Sequence, residues 1–188
     1  MSDLPDPGRR RWLGGLLPRA TEAVARVVSE EVERRLPPRR RPPGAVGEAL
    51  FLAGCTRCGD CVQACPHRAI FTLAAHVQPG AGTPVMVPDE RPCHGCEGFP
   101  CAAACTPGVL EVPDGNTWKL GTFHVVTERC LPFRGPECGA CGGLCPNDPP
   151  ALTFRLGRPA IDPDRCVGCG LCKPACPVRP AALELTPL

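Results

Sequence analysis

The chain has 188 residues with a formal net charge of +2, and 43% of its residues are hydrophobic. The small net charge does not indicate nucleic acid or an anionic membrane as a partner, and no apolar stretch approaches the roughly eighteen residues of a membrane span. Disorder is disfavoured too, since disordered chains combine few apolar residues with a high net charge. With 21 Gly, 26 Pro, no Tyr and 16 Cys, we expect cysteine chemistry, rather than an aromatic core, to fix the many turns.

The first residues carry a partial export pattern. Arg9 and Arg10, followed by Trp12-Leu13, fit a twin-arginine signal. A working signal also needs an apolar region of about 7–15 residues, whereas the apolar run here ends at Pro18. We therefore predict a basic, solvated N-terminal arm and favour a cytoplasmic protein, with periplasmic twin-arginine export as the alternative.

Residues 20–36 are predicted to form an amphipathic helix. Valines recur at helical spacing, and Glu and Arg occupy much of the opposite face. Pro37-Pro38 ends the pattern, and residues 37–44 (PPRRRPPG) have the composition of a stiff basic linker. The predicted domains are therefore an arm, residues 1–44, and a cysteine-rich domain, residues 45–188. The helix is expected to pack on the body of the protein or to dock a partner.

From residue 54 onward the sequence repeats a quartet of cysteines. Quartet one is Cys55, Cys58, Cys61 and Cys65; quartet two is Cys93, Cys96, Cys101 and Cys105; quartet three is Cys130, Cys138, Cys141 and Cys145; quartet four is Cys166, Cys169, Cys172 and Cys176. Short β-like runs lie around the quartets, at Ile70–Leu73, Thr122–Thr127, Leu152–Leu156 and Ala182–Leu185. A typical unit is thus a cysteine loop, a helical turn with the last Cys, and a strand.

The spacing within the quartets is typical of [4Fe–4S] clusters. Quartets one and four read C-x2-C-x2-C-x3-C-P, in which three thiolates surround one cluster and the fourth serves a neighbouring cluster. Structural zinc sites instead combine two Cys-x2-Cys knuckles separated by a longer stretch. Disulfides fit poorly, because such closely spaced triplets pair awkwardly and no cleavable signal supports an oxidising compartment. The cysteines of quartets one and four are therefore predicted to be cluster ligands, whereas spacing alone leaves zinc open for the altered quartets two and three.

Quartets two and three contain insertions, at residues 97–100 and 131–137. Surface loops tolerate extra residues at low entropic cost. We therefore interpret both insertions as tolerated loops, with Phe99 and Phe133 as exposed apolar groups.

The chain carries a series of motifs in a fixed order: RPPGA at 41–45, the first quartet, AGTP at 81–84, the Pro-Cys pairs of quartet two and the two later quartets. This order resembles that of the MauM/NapG ferredoxin-type proteins, and the resemblance runs over residues 41–188. It implies an α+β, ferredoxin-like fold of two bacterial dicluster halves, preceded by the N-terminal helix. It further implies four [4Fe–4S] clusters and relay of single electrons to a partner oxidoreductase, a nitrate reductase or a similar enzyme.

Similarity to four-cluster electron-transfer subunits implies that quartet one pairs with four and quartet two with three. The ligand sets would then be Cys55, Cys58, Cys61 and Cys176; Cys166, Cys169, Cys172 and Cys65; Cys93, Cys96, Cys101 and Cys145; and Cys130, Cys138, Cys141 and Cys105. Pairing of sequence neighbours, one with two and three with four, is the rival. Spacing alone fits both.

Three function classes stay open. The first is a non-catalytic electron-transfer component, whose partners are donor and acceptor oxidoreductase proteins rather than a small-molecule substrate. The second is a cytoplasmic maturation factor for a metalloenzyme subunit, and the third is a zinc-organised interaction module. The sequence contains no nucleophile–base pair, phosphate loop or nicotinamide fingerprint, so stand-alone catalysis is not expected.

Overall fold

The computed structural model describes residue 36, residues 39–115 and residues 117–186. A boundary between compact units lies between Pro37 and Pro38, and only the C-terminal unit is discussed below. The twin-arginine motif and residues 20–35 of the predicted helix lie outside the described residues. Among the residues described, no helix has both the length and the apolar character that a membrane crossing needs.

Regular structure in the described part of the chain is short and mixed. The helices are α1 (Glu48–Gly54), α2 (Asp60–Gln63), α3 (Pro100–Ala103) and α4 (Leu131–Arg134). The strands are β1 (Ile70–Thr72), β2 (Pro84–Met86), β3 (Phe123–Val125), β4 (Leu152–Arg155), β5 (Arg158–Ile161) and β6 (Leu183–Leu185). Strands β1, β3, β4 and β6 coincide with the four β-like runs of the sequence, whereas β2 and β5 were not predicted.

Strand pairing divides the cysteine-rich region into two halves. In the first half, residues 45–115, β1 pairs antiparallel with β2, and an isolated bridge joins Ala45 to Leu110. In the second half, residues 117–186, β4 pairs with β5 and β3 pairs with β6, both antiparallel. Each half therefore has a pairing between its two quartets and a second pairing that joins its beginning to its end.

Each quartet is followed by the same packing pattern. The pattern consists of two consecutive buried residues. The first is small or β-branched, and the second is an aliphatic residue at which a strand or a bridge begins. The four pairs are Ala69-Ile70, Val109-Leu110, Ala151-Leu152 and Ala182-Leu183. The repeat of the sequence is thus a repeat of structure, in which each quartet is anchored by a strand start directly behind it.

The larger buried cluster belongs mainly to the first half and includes cysteines among its members. Phe51 is fully buried, and Phe99 meets the Trp118 ring edge-on, with ring centroids 5.8 Å apart. Phe99 is only 9% exposed, so the expectation that the insertion at 97–100 presents an exposed apolar group is wrong. The insertion instead folds back to fill space beside quartet two.

Residues 39–41, which have the composition of a linker, are packed against the body of the protein. Arg40 donates from Nε to the Leu120 carbonyl at 2.8 Å. Arg41 is buried and forms a two-pronged ion pair with Glu48, with Nε–Oε2 at 2.8 Å and Nη2–Oε1 at 2.6 Å. Because a bidentate pair of this kind fixes both side chains, the segment before α1 is held in place at its arginines.

Candidate functional site

The sixteen cysteines line four separate cavities, and each cavity has four of them. Cavity A is lined by Cys55, Cys58, Cys61 and Cys105. Cavity B is lined by Cys65, Cys93, Cys96 and Cys101. Cavity C is lined by Cys130, Cys138, Cys141 and Cys176. Cavity D is lined by Cys145, Cys166, Cys169 and Cys172.

In every cavity, three cysteines come from one quartet and the fourth is the last cysteine of the quartet beside it in sequence. The pairing implied by four-cluster subunits, one with four and two with three, is therefore wrong, and the rival pairing of sequence neighbours is the observed one. The strand pairing supplies the physical reason. The pairing of β1 with β2 and the Ala45–Leu110 bridge bring quartets one and two together, and β3–β6 with β4–β5 do the same for quartets three and four.

Short turns direct the last cysteine of a quartet away from the first three. In quartet one, the helical turn α2 carries Cys61, and a further turn brings Cys65 to cavity B. In quartet two, α3 carries Cys101, while Cys105 lies in cavity A. The two segments thus exchange their last cysteines across one half of the protein, as the C-x3-C spacing predicts.

Backbone amides donate to several of the cysteine sulfurs. The amides of Ala69, Ala151 and Ala182 donate to the Sγ atoms of Cys65, Cys145 and Cys176 at 3.4, 3.3 and 3.3 Å. The amide of Phe123 donates to Cys166 Sγ at 3.4 Å. Such bonds stabilise negative charge on sulfur and are one of the means by which a protein sets the potential of a thiolate-bound centre.

Burial makes these thiols hard to ionise on their own. Desolvation raises the pKa of Cys93 and of Cys172 to about 12. Desolvation, followed by the charges of Cys105, Cys55 and Cys58, raises the pKa of Cys61 to about 11. Four thiolates in one buried site repel one another unless a cationic centre lies between them, and a bound metal centre deprotonates its thiols outright. The donor sets therefore fit a metal-containing group.

The arrangement of the sulfurs differs from that of a site for a single ion. Within residues 39–115 and 117–186, no group of three or more His, Cys, Asp or Glu side chains is arranged to hold a single metal ion. Four cysteines around each cavity, in no arrangement that holds a single ion, fit a polynuclear cluster.

The two halves meet at cavities B and D. The amide of Cys93, in cavity B, donates to the carbonyl of Cys169, in cavity D, at 2.8 Å. Cavities A and B share the segments of the first half, and cavities C and D share those of the second half. The cavities therefore follow one another in the order A, B, D, C.

One pair of residues beside cavity B was not predicted from the sequence. The rings of His67 and His94 are stacked with centroids 3.5 Å apart, and both line cavity B. The pair had no signal in the sequence, because the two residues are distant along the chain and meet only when quartets one and two come together.

Comparisons with known proteins agree with this site. A family model described as a 4Fe–4S dicluster domain matches residues 54–109, and one described as a 4Fe–4S binding domain matches residues 159–180. The chain therefore binds [4Fe–4S] clusters, in two ferredoxin-type regions. No solved structure matched the chain.

Three curated relatives illustrate the similarity. The ferredoxin-type protein NapG of Escherichia coli is 37% identical, over 98% of this chain and 87% of its own length. The methylamine utilization ferredoxin-type protein MauM of Methylorubrum extorquens is 37% identical, over 78% of this chain and 72% of its own length. The ferredoxin-type protein NapF of Escherichia coli is 31% identical, over 68% of this chain and 74% of its own length. With such identity over nearly its whole length, the chain belongs to the NapG and MauM family of ferredoxin-type proteins.

Proposed function

We propose that this protein holds four [4Fe–4S] clusters, one in each of cavities A to D, and relays single electrons between redox partner proteins. The observation that carries the proposal is the grouping of the sixteen cysteines into four sets of four. A carrier with one cluster would need only one such set.

When bound, the clusters supply one-electron redox chemistry at thiolate-ligated iron. The chain contributes the thiolates, the amide donors to sulfur and an apolar surround that limits access of water. Ala151, Leu152 and Val167, for example, are buried and line cavity D. Burial and hydrogen bonds to sulfur are the two variables through which these residues set a potential.

The order of the cavities supports a relay. Cavities A and C are the two ends of the order A, B, D, C, and the hydrogen bond from the Cys93 amide to the Cys169 carbonyl connects the two middle cavities at 2.8 Å. Cys58, in cavity A, is exposed, and Cys138, in cavity C, is partly exposed. Each end thus has a cysteine that a partner protein can approach.

The partners are proposed to be an electron donor and an acceptor oxidoreductase, a nitrate reductase or a similar enzyme. Membership of a family of ferredoxin-type proteins supports redox proteins as partners. The two ends of the relay would then serve different partners.

The proposal is tested on the full chain, with its clusters assembled under anaerobic conditions. We expect about sixteen iron and sixteen sulfide per chain, a spin-coupled EPR signal after reduction with dithionite, and reoxidation by cytochrome c. Stoichiometric zinc without sulfide, or clusters that accept no electron from dithionite, would contradict it. The same preparation without iron serves as the control for non-specific reduction of cytochrome c.

A further inference from the structure

The hairpin formed by β4 and β5 turns at residues 155–158, and three of these residues are unfavourable for its stability. Arg155 and Arg158 lie directly opposite each other across the strands, and like charges in this position are destabilising. Between them, Leu156 has a left-handed backbone with φ +50 and is fully exposed, at 102%. A left-handed backbone costs about 1–2 kcal/mol for a residue such as Leu, and residues such as Asn are favoured there. We call residues 155–158 the arginine tip.

The arginine tip lies beside cavity C, at one end of the cavity order. Arg158 donates from Nε to the Pro132 carbonyl at 3.3 Å, and its guanidinium lies 5.2 Å from the centre of the Phe133 ring. Pro132 and Pro159 line cavity C. A protein that contacts the tip would therefore lie close to this cavity.

Four exposed arginines lie in the tip or close in sequence to residues that line cavity C. Arg155 and Arg158 belong to the tip, Arg134 ends α4, and Arg179 follows Val178, which lines the cavity. Within the described part of the chain none of the four forms an ion pair, and Glu137, beside Cys138, is an exposed carboxylate in the same region. The two halves also differ in charge: residues 45–115 contain three Arg and seven Asp or Glu, whereas residues 117–186 contain eight Lys or Arg and six Asp or Glu. A negatively charged surface is thus complementary to the second half and is repelled by the first.

From these observations we propose that the arginine tip is the docking site of an acidic redox protein, which receives Leu156 in an apolar pocket and pairs its carboxylates with Arg155 and Arg158. This inference rests on the proposed function, since it names the partner class at the cavity C end of the relay. The unfavourable residues are then explained, because charge and apolar surface that weaken the free hairpin are the groups that a partner recognises.

Two substitutions separate docking from stability. Arg155→Glu creates an opposite-charge pair with Arg158, and Leu156→Asn introduces a residue suited to the left-handed backbone, so both are expected to maintain or raise the melting temperature. The same substitutions remove the charge and the apolar group that the partner would contact. A purely structural role of the tip predicts no loss of binding in either variant.

The test uses rubredoxin, a small acidic electron carrier, as the probe. Titration calorimetry of the oxidised, cluster-loaded protein with oxidised rubredoxin measures binding without electron transfer. We expect binding at low ionic strength that weakens with salt, and an affinity about tenfold lower in Arg155→Glu and in Leu156→Asn. The rate at which the reduced protein reduces rubredoxin is expected to fall in parallel.

Matched controls lie in the first half. Arg68→Glu makes the same change in net charge at an exposed arginine, and Val112→Asn removes an apolar side chain that is 52% exposed. Both are expected to bind rubredoxin as the unaltered protein does. The proposal is overturned if the unaltered protein does not bind rubredoxin, or if the tip variants bind as tightly as the controls. Reoxidation of the reduced variants by ferricyanide reports separately on the clusters, so its failure in the unaltered protein would contradict the proposed function instead.

Discussion

At the scale of single residues, Arg41 illustrates that the partners around a charged side chain determine whether it can be buried. Its guanidinium pairs with Glu48, donates to Thr83 Oγ1 at 2.8 Å and to the Pro84 carbonyl at 2.6 Å, and lies 4.5 Å from the centre of the Phe51 ring. A buried charge with this many partners is satisfied. In the sequence, however, Arg41 is the last of three arginines between prolines, a composition typical of a solvated linker.

Gly170 allows the two halves of the protein to approach closely, and Gly168 allows a close approach within the second half. A Cβ atom at Gly170, where φ is +87, would lie 2.3 Å from the Pro88 carbonyl oxygen, and one at Gly168 would lie 2.6 Å from the Gly121 oxygen. Both glycines flank Cys169, whose carbonyl accepts the hydrogen bond from Cys93. The contact between cavities B and D therefore depends on the absence of a side chain at Gly170.

We predict that Gly170→Ala weakens this contact. The substitution adds backbone strain and a clash with main-chain atoms that cannot rotate away, and such overpacking costs about 1–3 kcal/mol beyond the strain. Hydrogen exchange of the Cys93 amide should become faster, and denaturant unfolding should shift to lower concentration. Gly108→Ala is the control, because Gly108 has a similar φ of +73 and an open space around its would-be Cβ. Equal effects of the two substitutions would contradict the steric explanation.

At the scale of elements, the sequence predicts the strands that carry β-branched and aliphatic residues. It misses β2 and β5 because each contains a proline, Pro84 and Pro159, and a proline within a run argues against a strand. Both strands belong to two-stranded sheets, in which a residue can face away from its single neighbour. A proline is tolerated there because its missing N–H group has no partner to lose.

The cavity composition was predictable in part. Three cysteines of each set follow from the C-x2-C-x2-C pattern or its extended form, and the spacing also indicates that the fourth comes from a different quartet. Which quartet supplies it does not follow from spacing, because every quartet ends in the same C-x3-C step. The pairing of β1 with β2 and of β3 with β6 determines which quartet supplies the fourth cysteine. This pairing depends on the tertiary structure and not on the local sequence.

Paired cysteine substitutions test the observed grouping. Cys61→Ala combined with Cys105→Ala removes two ligands from cavity A alone, so we expect a loss of about four iron per chain. Cys61→Ala combined with Cys176→Ala affects cavities A and C, and the expected loss is about eight iron. The measurement is iron and sulfide content after anaerobic assembly, supported by the intensity of the EPR signal.

If quartet one were paired with quartet four, the iron losses expected for the two double variants would be reversed. Under that pairing, Cys61 and Cys176 would serve the same cluster, and the second double variant would lose less iron than the first. The double variant that loses more iron therefore identifies the pairing of the quartets. Each double variant is the matched control of the other.

At the scale of the whole molecule, the cysteine sites take the place of part of a conventional core. The larger buried cluster includes four cysteines among its buried members: Cys61, Cys93, Cys101 and Cys169. The smaller buried cluster consists of Cys130, Cys176 and Ala182, with four partly buried residues packed against it. Metal ligation in such a protein contributes directly to the free energy of folding.

We predict that chelation of iron unfolds residues 45–188, and that the region around cavity C loses protection first. The reason is the content of the two buried clusters: Phe51, Trp118 and Leu110 remain in the larger one without metal, whereas little apolar surface remains in the smaller one. Hydrogen exchange during stepwise chelation measures the order of loss, and far-UV circular dichroism with a thermal melt measures its extent. An iron-free protein with a native spectrum and a cooperative melt would contradict the prediction.

The pairing of neighbouring quartets has a consequence for how the protein is made. All eight cysteines of cavities A and B lie between residues 55 and 105, and all eight of cavities C and D lie between residues 130 and 176. During synthesis, the first two sites are therefore complete before the ribosome translates the third quartet. Iron can therefore be delivered to cavities A and B before the C-terminal residues are synthesised. The direction of translation determines the order in which the four sites become available.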